Sequence, residues 1–153
     1  MAWLLLNPGQ PNPDPIQAPT MCRVICMSCI EGYSGVIVVN VYPNVTGSPI
    51  VLWATHDRLL EDVGDLKCRA TNLEYVREAG ERAALRIVGF GGLGGHANDP
   101  GVAAALRAFG GRPRCIGKSK RGWPRHPGAR DLARRLPQLR KAKRWRPPAP
   151  RAR

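Results

Sequence analysis

The sequence predicts a three-layer α/β domain on a mostly parallel sheet of four strands. Three observations predict it. Short apolar runs alternate with stretches of helical composition through the first 116 residues, which is the pattern of repeated strand–helix–strand units. One run, residues 35–42 (GVIVVNVY), is apolar on both faces, as for a strand covered on both sides by helices. Turn-forming residues follow each run, so the runs end where loops can begin.

The elements follow in order. Residues 2–6 are a continuous apolar run stopped by Asn7-Pro8-Gly9, and read as a short buried strand. Residues 7–19 contain five prolines and form a loop. Thr20 is placed to cap a helix that runs to Ile30 and stops at Gly32. Residues 35–42 are the second strand, central in the sheet, and 43–49 a loop. Residues 58–82 have helical composition with a break near Gly64. Residues 84–88 form a third buried strand, followed by a glycine loop at 89–95. Asp99-Pro100 combines an N-cap with proline at the first helical position, and that helix ends at Gly110-Gly111. Residues 114–116 make a short fourth strand, 118–128 a loop, and 129–136 a short basic helix. From Pro137 the chain is dominated by Pro, Arg, Lys and Ala with little to bury, which predicts a disordered tail over 137–153 behind one domain at 1–136.

Charge divides the same way. The chain has 24 Lys and Arg against 11 Asp and Glu, a net +13, but residues 112–153 carry 16 of the bases and a single acid, Asp131. The first 111 residues are therefore slightly acidic. The basic end attracts phosphates, because neutralising them releases counterions. Its expected partner is nucleic acid, in the first place DNA. No membrane partner is expected: the apolar start lacks a basic leader and stops at Asn7, and no run approaches the roughly 18 apolar residues of a membrane span. Five cysteines without an export signal argue against a disulfide framework, and the expected compartment is a reducing cytoplasm.

Several motifs compete for a chemical reading. Cys22-x3-Cys26-x2-Cys29 has the spacing of the cysteines that hold an iron–sulfur cluster in radical SAM enzymes. The same positions are i, i+4 and i+7 of a helix, one face, and free cysteine is a good small core residue; the core reading is preferred. Gly89-x-Gly91-x-x-Gly94 follows a strand, as the dinucleotide fingerprint does. The acid expected about 20 residues later is replaced by Gly110, Gly111 and Arg112. Among the histidines, His56 reads as a surface residue and His96 lies in the glycine loop. His126 stands between Arg125 and Pro127, where Arg121 and Arg125 resist its protonation. A neutral imidazole can donate a hydrogen bond to a developing oxyanion. No serine has the context of a nucleophile, no metal-ligand spacing is evident, and no cofactor is implied.

In open parallel sheets, ligands gather at the loops that leave the carboxyl ends of the strands. Here those loops are Asn7-Pro8-Gly9, the stretch from Asn40 to Pro43, the glycines after residue 88, and Trp123-Pro124-Arg125-His126-Pro127. Three stretches, Leu4-Leu5-Leu6-Asn7-Pro8-Gly9, Gly32-Tyr33-x-Gly35-Val36-Ile37-Val38-Val39-Asn40 and Gly117-Lys118-Ser119-Lys120-Arg121-Gly122-Trp123-Pro124-Arg125-His126-Pro127, resemble an uncharacterised bacterial and phage domain family. That family carries an LNPS-type motif, a GY-x-G…N strand and a closing G-x-T-K-x-G-x-P-R-H-P motif. The resemblance covers residues 3–130. Gly9 stands where that family has serine, and Ala18-Pro19-Thr20 where it has Asp-Pro-Thr. The family carries sequence before its first strand, which implies a shortened start here.

A more distant resemblance implies an activity. The motif order is similar to that of the uracil-DNA glycosylase superfamily, where a first strand ends in a motif such as GINPG, a middle strand ends in a base-reading asparagine, and a late His-Pro contacts the leaving base. Leu6 takes the place of the leading glycine, and Pro-Gly follows His126 in place of Pro-Ser. The resemblance implies that Asn7 positions a water, Asn40 reads the base and His126 stabilises the base oxyanion. Pro8, Gly9, Gly89, Gly91 and Trp123 would complete the substrate site, with Lys118, Lys120, Arg121 and Arg125 on the nucleic-acid backbone. The alternatives are a non-catalytic nucleic-acid-binding accessory protein that uses its basic C-terminal segment, and a nucleotide-binding enzyme that uses the loop 89–95.

Overall fold

The computed structural model describes residues 1–9, 18–46, 51–53, 63–92, 99–129, 139 and 142–147. Within them, β1 (Ala2–Leu5), β2 (Ile37–Asn40), β3 (Arg86–Val88), β4 (Arg114–Cys115) and β5 (Lys143–Arg144) form one sheet. Helices α1 (Pro19–Ile30), α2 (Val63–Arg82) and α3 (Pro100–Phe109) accompany it, and residues 51–53 are also helical. The strand order is β2-β1-β3-β4-β5. The first four strands run parallel, and β5 pairs antiparallel to β4.

Alternation of side chains along β1 divides the core in two. Ala2, Leu4 and Leu6 point to one face, where they meet Val76 and Ala79 of α2 and Val102, Ala105 and Phe109 of α3. Trp3 and Leu5 point to the other, against Val24 and Met27 of α1. This division follows from handedness. Crossovers between parallel strands are right-handed, so connections that travel in opposite directions along a sheet must lie on opposite faces. The β1-to-β2 connection travels one way; the β2-to-β3 and β3-to-β4 connections travel the other. Hence α1 covers one face alone, and α2 and α3 share the other.

α3 is built as its sequence predicts. Asp99 caps it, accepting from the backbone N–H of Gly101 (2.7 Å) and Val102 (3.3 Å), and Gly110 closes it with a positive φ of 66°. The buried Tyr42 hydroxyl donates to the same Asp99 oxygen, which ties the segment after β2 to the start of α3. Burial first, and the Asp99 carboxylate second, hold the Tyr42 phenol far above its ordinary range.

Several expectations are corrected. The strand expected at 35–42 is β2 at Ile37–Asn40, only half-buried, and among the described residues it is an edge of the sheet; β1 is an interior, fully buried strand between β2 and β3. An apolar, β-branched run reports a strand, not its place in the strand order, and the place at an edge leaves this one partly open. α1 begins at Pro19 behind Ala18, without a side-chain cap, so Thr20 lies inside the first turn. α2 begins at Val63, next to Gly64, and residues 58–62 of the expected helix lie outside the described residues. Cys22, Cys26 and Cys29 are not core residues: Val24, Met27 and Ser28 face inward, Cys29 is exposed, and all five cysteines are unpaired. Nowhere among the described residues do three His, Cys, Asp or Glu side chains gather as a metal site.

The largest difference lies in the basic end. Residues 142–147 do not behave as a free tail, and among the described residues the sheet has five strands rather than four. β5 adds to β4, Leu139 is fully buried, and Trp145 is 3% exposed. Trp145 stacks edge-on to Phe90 at 5.4 Å between ring centres and lies 6.2 Å from Trp123. Its indole N–H donates to the Gly122 carbonyl at 3.0 Å. One tryptophan and one leucine suffice to anchor a segment whose average composition is polar, because each removes a large apolar surface from water. All but Ala129 of the helix expected at 129–136, the remaining parts of 137–153, and the loops at 10–17 and 93–98 lie outside the described residues, as do His56 and His96. None of the described helices is long and apolar enough to cross a membrane.

Trp145→Ala is expected to destabilise the fold by about 3–5 kcal/mol, the usual loss for a buried tryptophan. Urea denaturation checks this; a free tail would give a change within about 0.5 kcal/mol.

Candidate functional site

The strand order creates a crevice. The chain leaves β1 toward α1 on one face and leaves β3 toward α3 on the other, and β1 and β3 are neighbours. Diverging loops at such a switch point leave a cleft at the carboxyl ends of the two strands. The cleft is present, with a volume of about 880 Å3. Asn7, Pro8 and Gly9 enter it from the end of β1, Asn40 from the end of β2, Gly91 from beyond β3, and His126 from the late loop. Six of the expected site residues therefore share one cavity.

Asn7 is held from two directions. Its Nδ2 donates to the carbonyls of Thr46 (2.9 Å) and Pro8 (3.0 Å), while the Thr46 backbone N–H donates back to Pro8 O at 3.1 Å. This clamp joins the loops after β1 and β2. With both amide hydrogens committed, what Asn7 offers a ligand is its carbonyl oxygen, an acceptor. Asn40 is fixed through its backbone: Asn72 of α2 donates from Nδ2 to the carbonyls of Asn40 (3.0 Å) and Val41 (3.3 Å).

His126 is set up as a neutral donor. Its Nδ1 accepts the backbone N–H of Gly128 at 3.0 Å, so the proton of the neutral ring resides on Nε2. Burial lowers its pKa below the ordinary 6.5, and the Arg23 guanidinium lowers it further. The direction matches the expectation, but the charged neighbour is Arg23 of α1 rather than Arg121 or Arg125. Arg23 also donates to the Pro127 carbonyl at 3.1 Å, bracing the histidine loop against α1.

The cavity has a further electrostatic feature. Ala18, Pro19, Thr20 and Met21 line it, and the N-terminus of α1 has no side-chain cap. The unpaired N–H groups of a first helical turn and the positive end of the helix dipole favour negative charge there. No carboxylate occurs among the described lining residues.

Two expected residues stand elsewhere. Gly89 is packed shut: a Cβ on it would lie 3.1 Å from the Pro127 ring and 3.3 Å from Leu5. Trp123 is 5% exposed and lines a different cavity beside α3, because the segment 117–125 folds back on itself through a Lys118–Pro124 bridge and turns the indole inward. The basic residues divide. Lys118, Lys120 and Arg121 are exposed, whereas Arg125 donates from Nε to the Lys118 carbonyl at 3.1 Å and braces the hairpin. The glycine fingerprint does not assemble a phosphate cradle on α3 either: the Asp99 carboxylate occupies that helix N-terminus. Gly94 lies outside the described residues. Gly91 is held at a φ of 81°, which favours glycine, and a Cβ on it would lie 3.5 Å from His126 Cβ.

The model of one protein family, described as a protein of unknown function (DUF1643), matches residues 1–128. The chain belongs to this family. The match runs from β1 through His126 and Pro127 and so takes in every described wall of the cavity, while β5 and Trp145 lie beyond it. No curated protein and no solved structure matches the chain.

Sequence reasoning missed Thr46, Asn72 and Arg23, which act through other residues from separate elements. It also missed the uncapped start of α1, whose signal was Ala18 at the cap position. A depressed histidine pKa has a testable sign. The unfolded chain binds a proton near pH 6.5 that the folded one resists, so the stability tied to neutral His126 is fully present above pH 6.5 and is lost as pH falls through the lower folded-state pKa. An NMR titration of the imidazole should give a midpoint below 6.5. Arg23→Gln should raise that midpoint only part of the way, because burial is the larger cause.

Proposed function

We propose that the protein binds a nucleobase N-glycoside in the cavity at the strand ends and hydrolyses it, with Asn7, Asn40 and His126 in the roles that the uracil-DNA glycosylase resemblance implies. The observation that carries the reading is that these three side chains enter one cavity, with a neutral histidine whose only N–H is at Nε2.

The chemistry follows from what each group offers. The N-glycosidic bond breaks with its electron pair going to the base, and the charge spreads onto a base carbonyl oxygen. The His126 Nε2–H donates to that oxygen, and the uncapped end of α1 adds a favourable field. The sugar is left as an oxocarbenium ion, which a weak nucleophile can capture. A water that donates to the Asn7 carbonyl oxygen attacks C1′; one of its protons passes through solvent to the departed base, giving a free base and a sugar hemiacetal. A cation at the sugar needs less activation of the water than a neutral carbonyl would, which is compatible with the lack of carboxylates among the described walls. Asn40 presents an amide, with both donor and acceptor, to the base edge. Lys118, Lys120 and Arg121 stand on the hairpin leading to His126 and would hold the phosphates of a polymer substrate, DNA in the first place.

Incubation with oligonucleotides that carry uracil, hypoxanthine or a mismatched base, scored for abasic sites by alkaline cleavage, tests the reading. Wild type should release base from at least one of them. His126→Ala should be about 10²–10³-fold slower, the usual loss of one oxyanion donor, and Asn40→Ala should change which base is released. Asn7→Ala should slow release and also lower stability, because it opens the clamp to Thr46. Absence of abasic sites in every substrate at stoichiometric protein contradicts hydrolysis and leaves the accessory-protein reading in its place.

A further inference from the structure

A second cavity, about 470 Å3 in volume, runs beside α3. Its apolar floor is made by Val102 and Leu106 of α3 and by the edges of Trp123 and Trp145. Its rim is basic. Arg107 comes from α3, Arg112 from the turn after it, Arg144 from β5, and Arg146 from just beyond. All four are exposed, and no Asp or Glu is among the described residues that line the cavity. Among the described residues, none of the four guanidinium groups takes part in an ion pair or a side-chain hydrogen bond.

Four like charges around one hollow repel each other, and an anion seated among them relieves that repulsion. The cations are arginines, whose planar forks match the oxygens of a phosphate and also lie flat against aromatic rings. At about 470 Å3 the hollow is in the size range of small-molecule sites. A ligand that fits joins a flat, largely apolar plate to a phosphate.

We propose that this cavity binds a nucleotide unit, with the base on the floor between α3 and Trp145 and the phosphate held by Arg107, Arg112, Arg144 and Arg146. The unit is either a free nucleotide or part of a single strand; the chemistry is shared. The buried tryptophans serve as the floor rather than as open stacking plates, which differs from an exposed-base arrangement. The site stands apart from the Asn7–His126 cavity and needs no chemistry there. The two share a wall, since Phe90 lines the first and packs on Trp123 and Trp145 of the second.

Fluorescence anisotropy of a labelled ten-residue oligothymidylate on the full chain tests the site, with unlabelled strand, thymidine monophosphate and polyglutamate as competitors. Replacement of Arg107 and Arg144 by Gln should weaken binding at least tenfold, and replacement of all four at least a hundredfold. The salt slope should fall by about 0.7 for each arginine removed. Lysine at the four positions should restore only part of the affinity. Competition by thymidine monophosphate identifies a free-nucleotide site, and competition by the strand alone a single-strand site. Independently of any variant, amide resonances of Leu106 and Trp145 should shift on addition of whichever ligand competes. Binding unchanged in a folded quadruple variant, displacement by polyglutamate as effective as by unlabelled strand, or a lack of shifts at Leu106 and Trp145 overturns the proposal.

Discussion

The complete burial of β1 is the constraint on which the rest depends. Ala2, Trp3 and Leu4 are removed from solvent entirely, so the strand needs a neighbour on each edge and a helix on each face. β2 and β3 supply the edges. The handedness of parallel crossovers then sends α1 to one face and α2 with α3 to the other. Once that is settled, the loops that leave β1 and β3 must diverge, and a cleft opens between them without any residue being selected to open it. The residues at the strand ends, Asn7 and Asn40, are placed by the sheet itself. His126 arrives from a distant loop and is held by Arg23 and by the Gly128 backbone.

The basic C-terminal part acquires a structural meaning in this arrangement. The 16 bases and single acid of residues 112–153, spread over a flexible extension, would act at long range only. Here β5 docks on β4 and Trp145 completes an aromatic wall with Phe90 and Trp123, so Arg144 and Arg146 are fixed next to Arg107 and Arg112. The short, charged edge strand also discourages further strand pairing. The same wall separates two hollows with different chemistry: amides, a neutral imidazole and a helix N-terminus on one side, guanidinium groups around an apolar floor on the other.

Much of this was legible in the sequence, and the failures have physical causes. The α/β class, the strand at β1, the cap at Asp99 and the closing Gly110 depend on local pattern and local hydrogen bonds, which neighbours in sequence determine. The assembly of Asn7, Asn40, Gly91 and His126 was legible because topology places loop ends together. Strand order was not: β2 looks as apolar as a central strand, yet only pairing decides that it is an edge. Trp123 was expected in the substrate site because composition does not reveal that the 117–125 hairpin turns its indole inward. Trp145 and Leu139 were hidden by the polarity of their surroundings, since two large side chains can anchor a segment whose average says otherwise. The clamp of Asn7 on Thr46 and the effect of Arg23 on His126 join residues far apart in the chain, and single-sequence patterns carry no trace of such pairs.

The central claim is that a nucleobase sits between Asn40 and His126. The most direct test is an NMR titration of the full chain with free nucleobases, following the His126 Nε2–H and the side-chain amides of Asn7 and Asn40. The account predicts saturable shifts of all three with at least one base, and loss of the Asn7 and His126 shifts in the Asn40→Ala variant. Shifts restricted to the arginine-lined cavity, or none at these three groups with any base, would contradict it.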